Sequence, residues 1–460
     1  MNRLLIWLAI FAIAISCKDV KKEEKPTENV IDTTASTSIA PMNNEVMETA
    51  VIYEANIRQY SEEGTFNEFT KDIPQLKKLG VKILWIMPIY PISTTKSKGS
   101  LGSYYAVSDY TKVNSEFGTI EDFRKLVKTA HENDIYVILD WVANHTGWDH
   151  HWIKEHPEYY TKNDKGEIVH TEGTDWTDVA DLNYDNMEMR ASMRNAMKYW
   201  VEQEDVDGFR CDVAGMVPVD FLNKTVEALE AIKPVFMLAE GWEPELMEEA
   251  FDMGYDWDTH HKMNAIAQGK ATALDWDKRM VEIDSMYAED DILMNFTSNH
   301  DENSWNGTVE ERLGPAKELF AALTYVAPGM PLIYSGQEYD MDKRLLFFEK
   351  DTIIKTKGVF FPLYEKLGTL KNENPALHGG KKAAKYQDLK TSNDKSVLAF
   401  KREKEGQIVL FIGNVSNEPI SFKVQETGKY IDYLSQEKLE LKPNSTYKLD
   451  AWQYMILIAE

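Results

Sequence analysis

From Ala50 onward, short runs of β-branched and other apolar residues alternate with longer stretches whose apolar positions recur every three or four residues. This is the pattern of strands buried on both faces and joined by amphipathic helices, the βα units of a parallel sheet. It predicts strands over 51–57, 81–88, 136–142, 208–213, 235–240, 292–298 and 332–335, with a weaker one near 253–256. Helices are predicted over 66–79, 120–133, 187–203, 219–232, 273–287 and 315–325. Eight strands with intervening helices over about 320 residues predict an α/β fold, a closed (β/α)8 TIM barrel. An open doubly wound sheet competes with it, but Ile57-Arg58-Gln59-Tyr60 stands where that fold places a glycine-rich phosphate turn.

Two segments break the alternation. Residues of about 146–184, between the third strand and its helix, hold His-Trp and Asp-Trp patches with little periodicity and read as an inserted domain. After Pro375 helical patterns give way to short alternating strands, which predicts a C-terminal antiparallel β-sandwich over 376–460 and leaves 49–375 for the barrel and its insertion.

The N-terminus carries a different signal. Arg3 precedes an apolar run over residues 4–15, too short to cross a hydrocarbon core of roughly 30 Å. The run ends Ala14-Ile15-Ser16-Cys17, which resembles a bacterial lipobox, so 1–17 reads as a lipoprotein signal peptide with Cys17 as the lipidated residue. Residues 18–48 are polar and rich in Lys, Glu, Thr and Ser, a composition that cannot offset its own ordering entropy, and read as a disordered tether. The expectation is a monomer, lipid-anchored through its N-terminus at the outer membrane, on the cell surface or in the periplasm. A net charge of −25 repels polyanions and excludes nucleic acid as a partner. With Cys17 and Cys211 as the only cysteines, a disulfide framework is excluded as well.

In a parallel barrel, side chains at the C-terminal ends of the strands face the active site. Here four predicted strands end in chemistry: Asp140 to His145, Arg210 with Asp212, Glu240, and His300 with Asp301. Strand alternation puts Arg210 and Asp212 on one face and turns Cys211 the other way. An arginine beside Asp212 is expected to lower its pKa and keep it ionised as a nucleophile. Glu240 follows the apolar run Val235 to Ala239, which is expected to raise its pKa and suit it to general acid catalysis. Carboxyl groups on adjacent strands can approach within the roughly 5–5.5 Å of a retaining glycosidase.

The blocks DWVANHT (140–146), GFRCDVAGM (208–216), AEGW (239–242) and FTSNHDEN (296–303) resemble, in order and spacing, the conserved blocks of glycoside hydrolase family 13, the α-amylase family. The resemblance covers about 50–460 and implies an inserted domain B and a retaining hydrolase of α-1,4-glucosidic links in starch or maltooligosaccharides. It implies Asp212 as nucleophile, Glu240 as acid/base and Asp301 as transition-state stabiliser. Arg210, His145 and His300 are implied to line the reacting-sugar subsite, Tyr105 to stack under that sugar, and Asp140 to be the family's structural aspartate. Asn144 and Asp181, with the carbonyl of Met216, match ligands of the family's calcium site. The two side chains also occur in calcium-free relatives, so one structural calcium and none both stand. Gly215-Met216 replaces a Lys-His pair common in α-amylases, which removes a usual substrate contact. The same residues serve α-glucosidases, glucanotransferases and trehalose-forming isomerases. A non-catalytic glycan-binding member is the reading from another class; it predicts a missing carboxylate, and all three are present.

Overall fold

The computed structural model describes residues 39–460; the expected signal peptide, Cys17 and the tether up to residue 38 lie outside the described residues. In chain order the first ten strands are β1 (Val51–Ala55), β2 (Val81–Ile86), β3 (Tyr136–Trp141), β4 (His145–Gly147), β5 (Val179–Asp181), β6 (Gly208–Cys211), β7 (Phe236–Ala239), β8 (Met253–Tyr255), β9 (Ile292–Asn295) and β10 (Met330–Tyr334). All but β4 and β5 close a parallel barrel in the order β1-β10-β9-β8-β7-β6-β3-β2. Every residue of β1 and β3 is buried, since one face packs into the barrel and the other under the helices.

Alternation along these strands sets up the site. Ile52, Ile83, Ile138, Leu238, Met253, Met294 and Leu332 fill the barrel interior. Two residues beyond Ile52, Ile138 and Gly208, the same face of β1, β3 and β6 carries Glu54, Asp140 and Arg210, so the apolar core gives way to charge at the C-terminal ends. Gly208 makes the close approach of β6 to β7: a Cβ there would lie 1.9 Å from the Phe236 carbonyl oxygen. β4 and β5 pair antiparallel, His145 opposite Asp181, and clamp the base of the inserted segment.

The remaining strands are β11 (Gln387–Asp388), β12 (Val397–Lys404), β13 (Gln407–Asn414), β14 (Ile420–Phe422), β15 (Gly428–Asp432), β16 (Lys438–Leu441), β17 (Tyr447–Leu449) and β18 (Tyr454–Ala459). Six form an antiparallel sheet, β11-β12-β13-β18-β15-β16, and β14 pairs with β17 beside it. Val397, Leu410, Phe422 and Leu449 share the core between the two sheets.

Three features depart from the expected elements. The helix predicted over 66–79 is two, Phe66–Thr70 and Ile73–Lys78, because Pro74 cannot donate within a continuing helix and instead sits in the first turn of a new one. Residues 39–48, expected as tether, are folded onto the barrel. Asn43 caps the helix Asn44–Thr49, Met42 joins the barrel's inner core, and the Tyr136 hydroxyl donates to the Ala40 carbonyl at 2.7 Å. Helices Trp257–Ala267 and Phe360–Glu373 were not predicted. The inner face of the first includes Thr259 and His260, which masks its apolar period.

At the end of the barrel opposite the charged layer, two cations are buried with no carboxylate partner among the described residues. Arg402 of β12 donates to the carbonyls of Ala327 at 3.1 Å and His378 at 3.1 Å, with longer bonds to Val326, Leu377 and Ala384. Lys371 donates to the carbonyls of Gly329 at 2.8 Å and Leu377 at 2.5 Å. Burial without a counterion pulls Arg402 down to about 9. Truncating Arg402 strands buried carbonyls at the junction of barrel and sheet. Arg402→Ala is therefore expected to lose about 3 kcal/mol or more of stability, measured as a shift of the urea midpoint.

Candidate active site

The charged layer is organised around Arg210. Its Nη1 donates to Asp140 Oδ1 at 2.8 Å and to Asp212 Oδ1 at 3.0 Å, while Nη2 lies 2.9 Å from Glu240 Oε2. Asp140 sits opposite Arg210 in the β3–β6 register, Asp212 follows the end of β6, and Glu240 follows the end of β7. Below the guanidinium lie the Trp85 ring, its centroid 4.9 Å from the central carbon, and the Tyr255 ring at 5.7 Å. Side-chain exposure rises outward from 0% at Arg210 and Asp140 to 11% at Asp212, 14% at Glu240 and 36% at Asp301. The three carboxyls assigned to catalysis are thus the ones that open toward solvent.

A second chain of hydrogen bonds enters from β1. Glu54 Oε1 holds His300 Nδ1 at 2.6 Å; His300 Nε2 meets the Tyr105 hydroxyl at 2.8 Å and Asp301 Oδ2 at 3.3 Å. The Tyr105 hydroxyl donates onward to Asp140 Oδ2 at 3.0 Å, which also accepts the Trp85 indole N–H at 3.2 Å. His300 and Tyr105 stack with centroids 5.6 Å apart. His145 is buried beside Trp176, and burial pulls its pKa down to about 4, leaving a neutral ring.

Electrostatics corrects one expectation. Asp212 is pushed well above the usual carboxylate range by burial and by the negative charge of Glu240, which together outweigh Arg210. The guanidinium is divided among three carboxylates, so it cannot fully compensate any one of them. Burial also raises Glu240, the direction expected from its apolar strand. Arg210 Nη2 and the Val213 N–H, at 2.8 Å, both converge on Glu240 Oε2, which leaves Oε1 as the atom to carry a proton. Val213 holds that N–H in place with φ +40°, a left-handed conformation that a β-branched residue adopts only under strain.

The expected calcium ligands are partly brought together. Asn144 Nδ2 donates to the Thr171 hydroxyl at 2.9 Å, and Thr171 donates to Asp181 Oδ1 at 2.8 Å. Met216 is exposed at the end of the turn Ala214–Met216, whose first residue is buried. A calcium ion takes about six to eight oxygen ligands. Here the Thr171 hydroxyl bridges Asn144 and Asp181, and a calcium ion at this place would need the oxygens of both side chains turned toward it. Neighbouring His150 packs against Tyr110 and Trp152 as part of the inserted segment.

Sequence reasoning missed Glu54, Trp85 and Tyr255. Glu54 was detectable as a lone carboxylate on the inward face of an otherwise apolar buried strand. Burial pulls the His300 pKa down, but the charges of Asp301 and Glu54 outweigh it and carry it up to about 9. A raised folded-state value means His300 contributes stability fully below about pH 6.5 and loses it as pH rises through about 9. The difference in unfolding free energy between wild type and His300→Gln is therefore expected to shrink over that window, by about 3 kcal/mol at most, in denaturant titrations at stepped pH.

The family description "Alpha amylase, catalytic domain" matches residues 42–176 and 170–360. Alpha-amylase 3 of Dictyoglomus thermophilum is 25% identical over 86% of this chain and 92% of its own length. A 4-alpha-glucanotransferase of Thermotoga neapolitana is 29% identical over 60% of this chain and 68% of its own. The crystal structure of the maltogenic alpha-amylase AmyB from Thermotoga neapolitana superposes with a TM-score of 0.82 at 29% identity, covering 90% of this chain and 99% of that one. Barrel, strand-end carboxylates and family match agree: this chain belongs to the alpha-amylase family and is a glycoside hydrolase of that type.

Proposed function

We propose that the chain is a retaining α-glucan hydrolase that cleaves α-1,4-glucosidic links in starch or maltooligosaccharides by double displacement. The observation that carries this reading is the single guanidinium of Arg210 shared by Asp212 and Glu240 at the ends of adjacent strands. Asp212 attacks the anomeric carbon while Glu240 gives its proton to the glycosidic oxygen, so the leaving chain departs as a neutral alcohol. A glycosyl ester on Asp212 results. Glu240, now ionised, takes a proton from water, whose oxygen then attacks the same carbon and frees Asp212. Asp301 faces the ring where positive charge develops, and Tyr105 supplies the platform beneath it. His145 and His300 hold the sugar's hydroxyls.

Burial raises both carboxyls, and with Arg210 Nη2 and the Val213 N–H on Glu240 Oε2, Oε1 is the atom from which the leaving oxygen takes its proton. Transfer to a second sugar, as in glucanotransferases, uses the same intermediate and differs only in the acceptor. Chromatography of products from maltooligosaccharides separates the two outcomes.

Asp212→Asn and Glu240→Gln are each expected to lower kcat by several orders of magnitude with the fold intact. Glu240→Gln should keep more activity on an activated aryl glycoside, whose leaving group needs no proton. Proton NMR of the first-formed product is expected to show the α-anomer, and a β-anomer would overturn Asp212 as nucleophile.

The lipobox-like end at Cys17 supports a membrane-tethered enzyme. Cys17→Ser is expected to move the protein to the soluble fraction after export, and continued membrane cofractionation would refute the anchor.

A further inference from the structure

Glu54 stands two residues beyond Ile52 on the inward face of β1, wholly buried beneath the catalytic carboxyls. Among the described residues its side chain takes hydrogen bonds from His300 alone. Oε1 accepts from His300 Nδ1 at 2.6 Å and from the His300 backbone N–H at 3.4 Å, and Oε2 is buried without a partner. A carboxylate this dry is costly, and a glutamine at the same place could orient the ring as well. Packing already fixes the ring plane, edge-on to Trp85 with centroids 5.8 Å apart and stacked on Tyr105. What a glutamate adds to this position is charge.

The neighbouring hydrogen bonds show where that charge is needed. The Tyr105 hydroxyl has one hydrogen, and Asp140 Oδ2, at 3.0 Å and on a carboxylate paired with Arg210, takes it. His300 Nε2, 2.8 Å from the same hydroxyl and 3.3 Å from Asp301 Oδ2, therefore carries a proton of its own. Nδ1 carries another toward Glu54. A ring protonated at both nitrogens is an imidazolium.

The groups that act on this ring are Glu54 from β1, Tyr105 from the loop after β2, Asp301 next to it in the chain, Arg210 of β6 and Glu240 beyond β7. Burial and Arg210 disfavour the charged ring, and the charges of Asp301 and Glu54 outweigh them. Burial likewise pushes Glu54 up, and His300 pulls against it. A lone imidazolium would be harmful here, because positive charge develops on the sugar ring in the transition state. Glu54 cancels it from the buried side.

We infer that Glu54 is a positioning residue for the hydrolysis. Its charge keeps His300 doubly protonated, so that one ring holds both the Tyr105 platform and the Asp301 carboxylate in place while the pair adds no net positive charge beside the sugar. This rests on the α-glucan hydrolase reading of the site.

The test uses the full chain labelled with nitrogen-15 in its histidines, the His300 signals being assigned by their absence from His300→Gln. In wild type at about pH 7.5, where a free imidazole is mostly neutral, both His300 nitrogens are expected in the protonated range. In Glu54→Gln one of them should move to the unprotonated range. The same variant should lose kcat/KM on maltohexaose by roughly 10- to 100-fold, chiefly through kcat, because Asp301 acts in the transition state. A neutral His300 in wild type would overturn the proposal without any variant. Loss of activity in Glu54→Gln with His300 still doubly protonated would mark a packing role and overturn it too, as would an unchanged kcat/KM. A wild type that carries the charged ring but does not cleave maltohexaose would overturn the α-glucan reading, and with it the part given to Glu54 in hydrolysis, while a neutral ring in an active wild type would overturn the Glu54 proposal alone.

Discussion

The structure depends on keeping one guanidinium charged and dry. Arg210 is wholly buried, and its position on β6 is viable only because Asp140 faces it in the neighbouring strand and two further carboxyls close the ring above it. A charge removed from water at this depth demands paired, hydrogen-bonded partners. Once it is in place, the partners are constrained in turn. Asp140 is held by three other donors' geometry, those of Arg210, Tyr105 and Trp85, so the platform tyrosine is aligned by the same aspartate that anchors the arginine. His300 joins this network through the Tyr105 hydroxyl and is backed by Glu54. The apolar layer beneath, from Ile52 to Leu332, shuts out water from below and keeps these attractions strong.

Much of this was legible in the sequence, for identifiable reasons. Most barrel strands are apolar runs buried on both faces, legible except for the short Met253–Tyr255, and chemistry at four strand ends marks the active face. Arg210 and Asp212 share a face because strand alternation is strictly two. The direction of the Asp212 shift was not legible: a sequence reveals that Arg210 is two residues away but not that Asp140 and Glu240 compete for it. Nor could the sequence show that residues 39–48 fold, since Met42 and the Asn44–Thr49 helix are stabilised by a barrel end assembled from distant strands. Glu54 escaped notice because its partner, His300, is 246 positions away. Pro74 was readable and should have divided the helix over 66–79.

Two backbone distortions sit beside the same groups. Val213 takes a left-handed conformation to aim its N–H at Glu240, and the backbone after Asp301 widens into a π-turn. Both distortions begin within one residue of a catalytic carboxyl, where the rigid barrel can sustain them. A regular continuation at Val213 would deprive Glu240 of a backbone donor.

Arg402 gives the C-terminal sheet a different standing from that of an appended module. Its guanidinium, rooted in β12, is tied to main-chain carbonyls that precede β10 and that follow the last long helix. The sheet therefore completes the backbone bonding of the barrel's own end, and the boundary near residue 376 is crossed by bonds that both sides need. Grafting this barrel onto another accessory domain, or excising it at that boundary, would carry away a donor that the barrel cannot replace from its own chain. The two parts are expected to unfold as one unit.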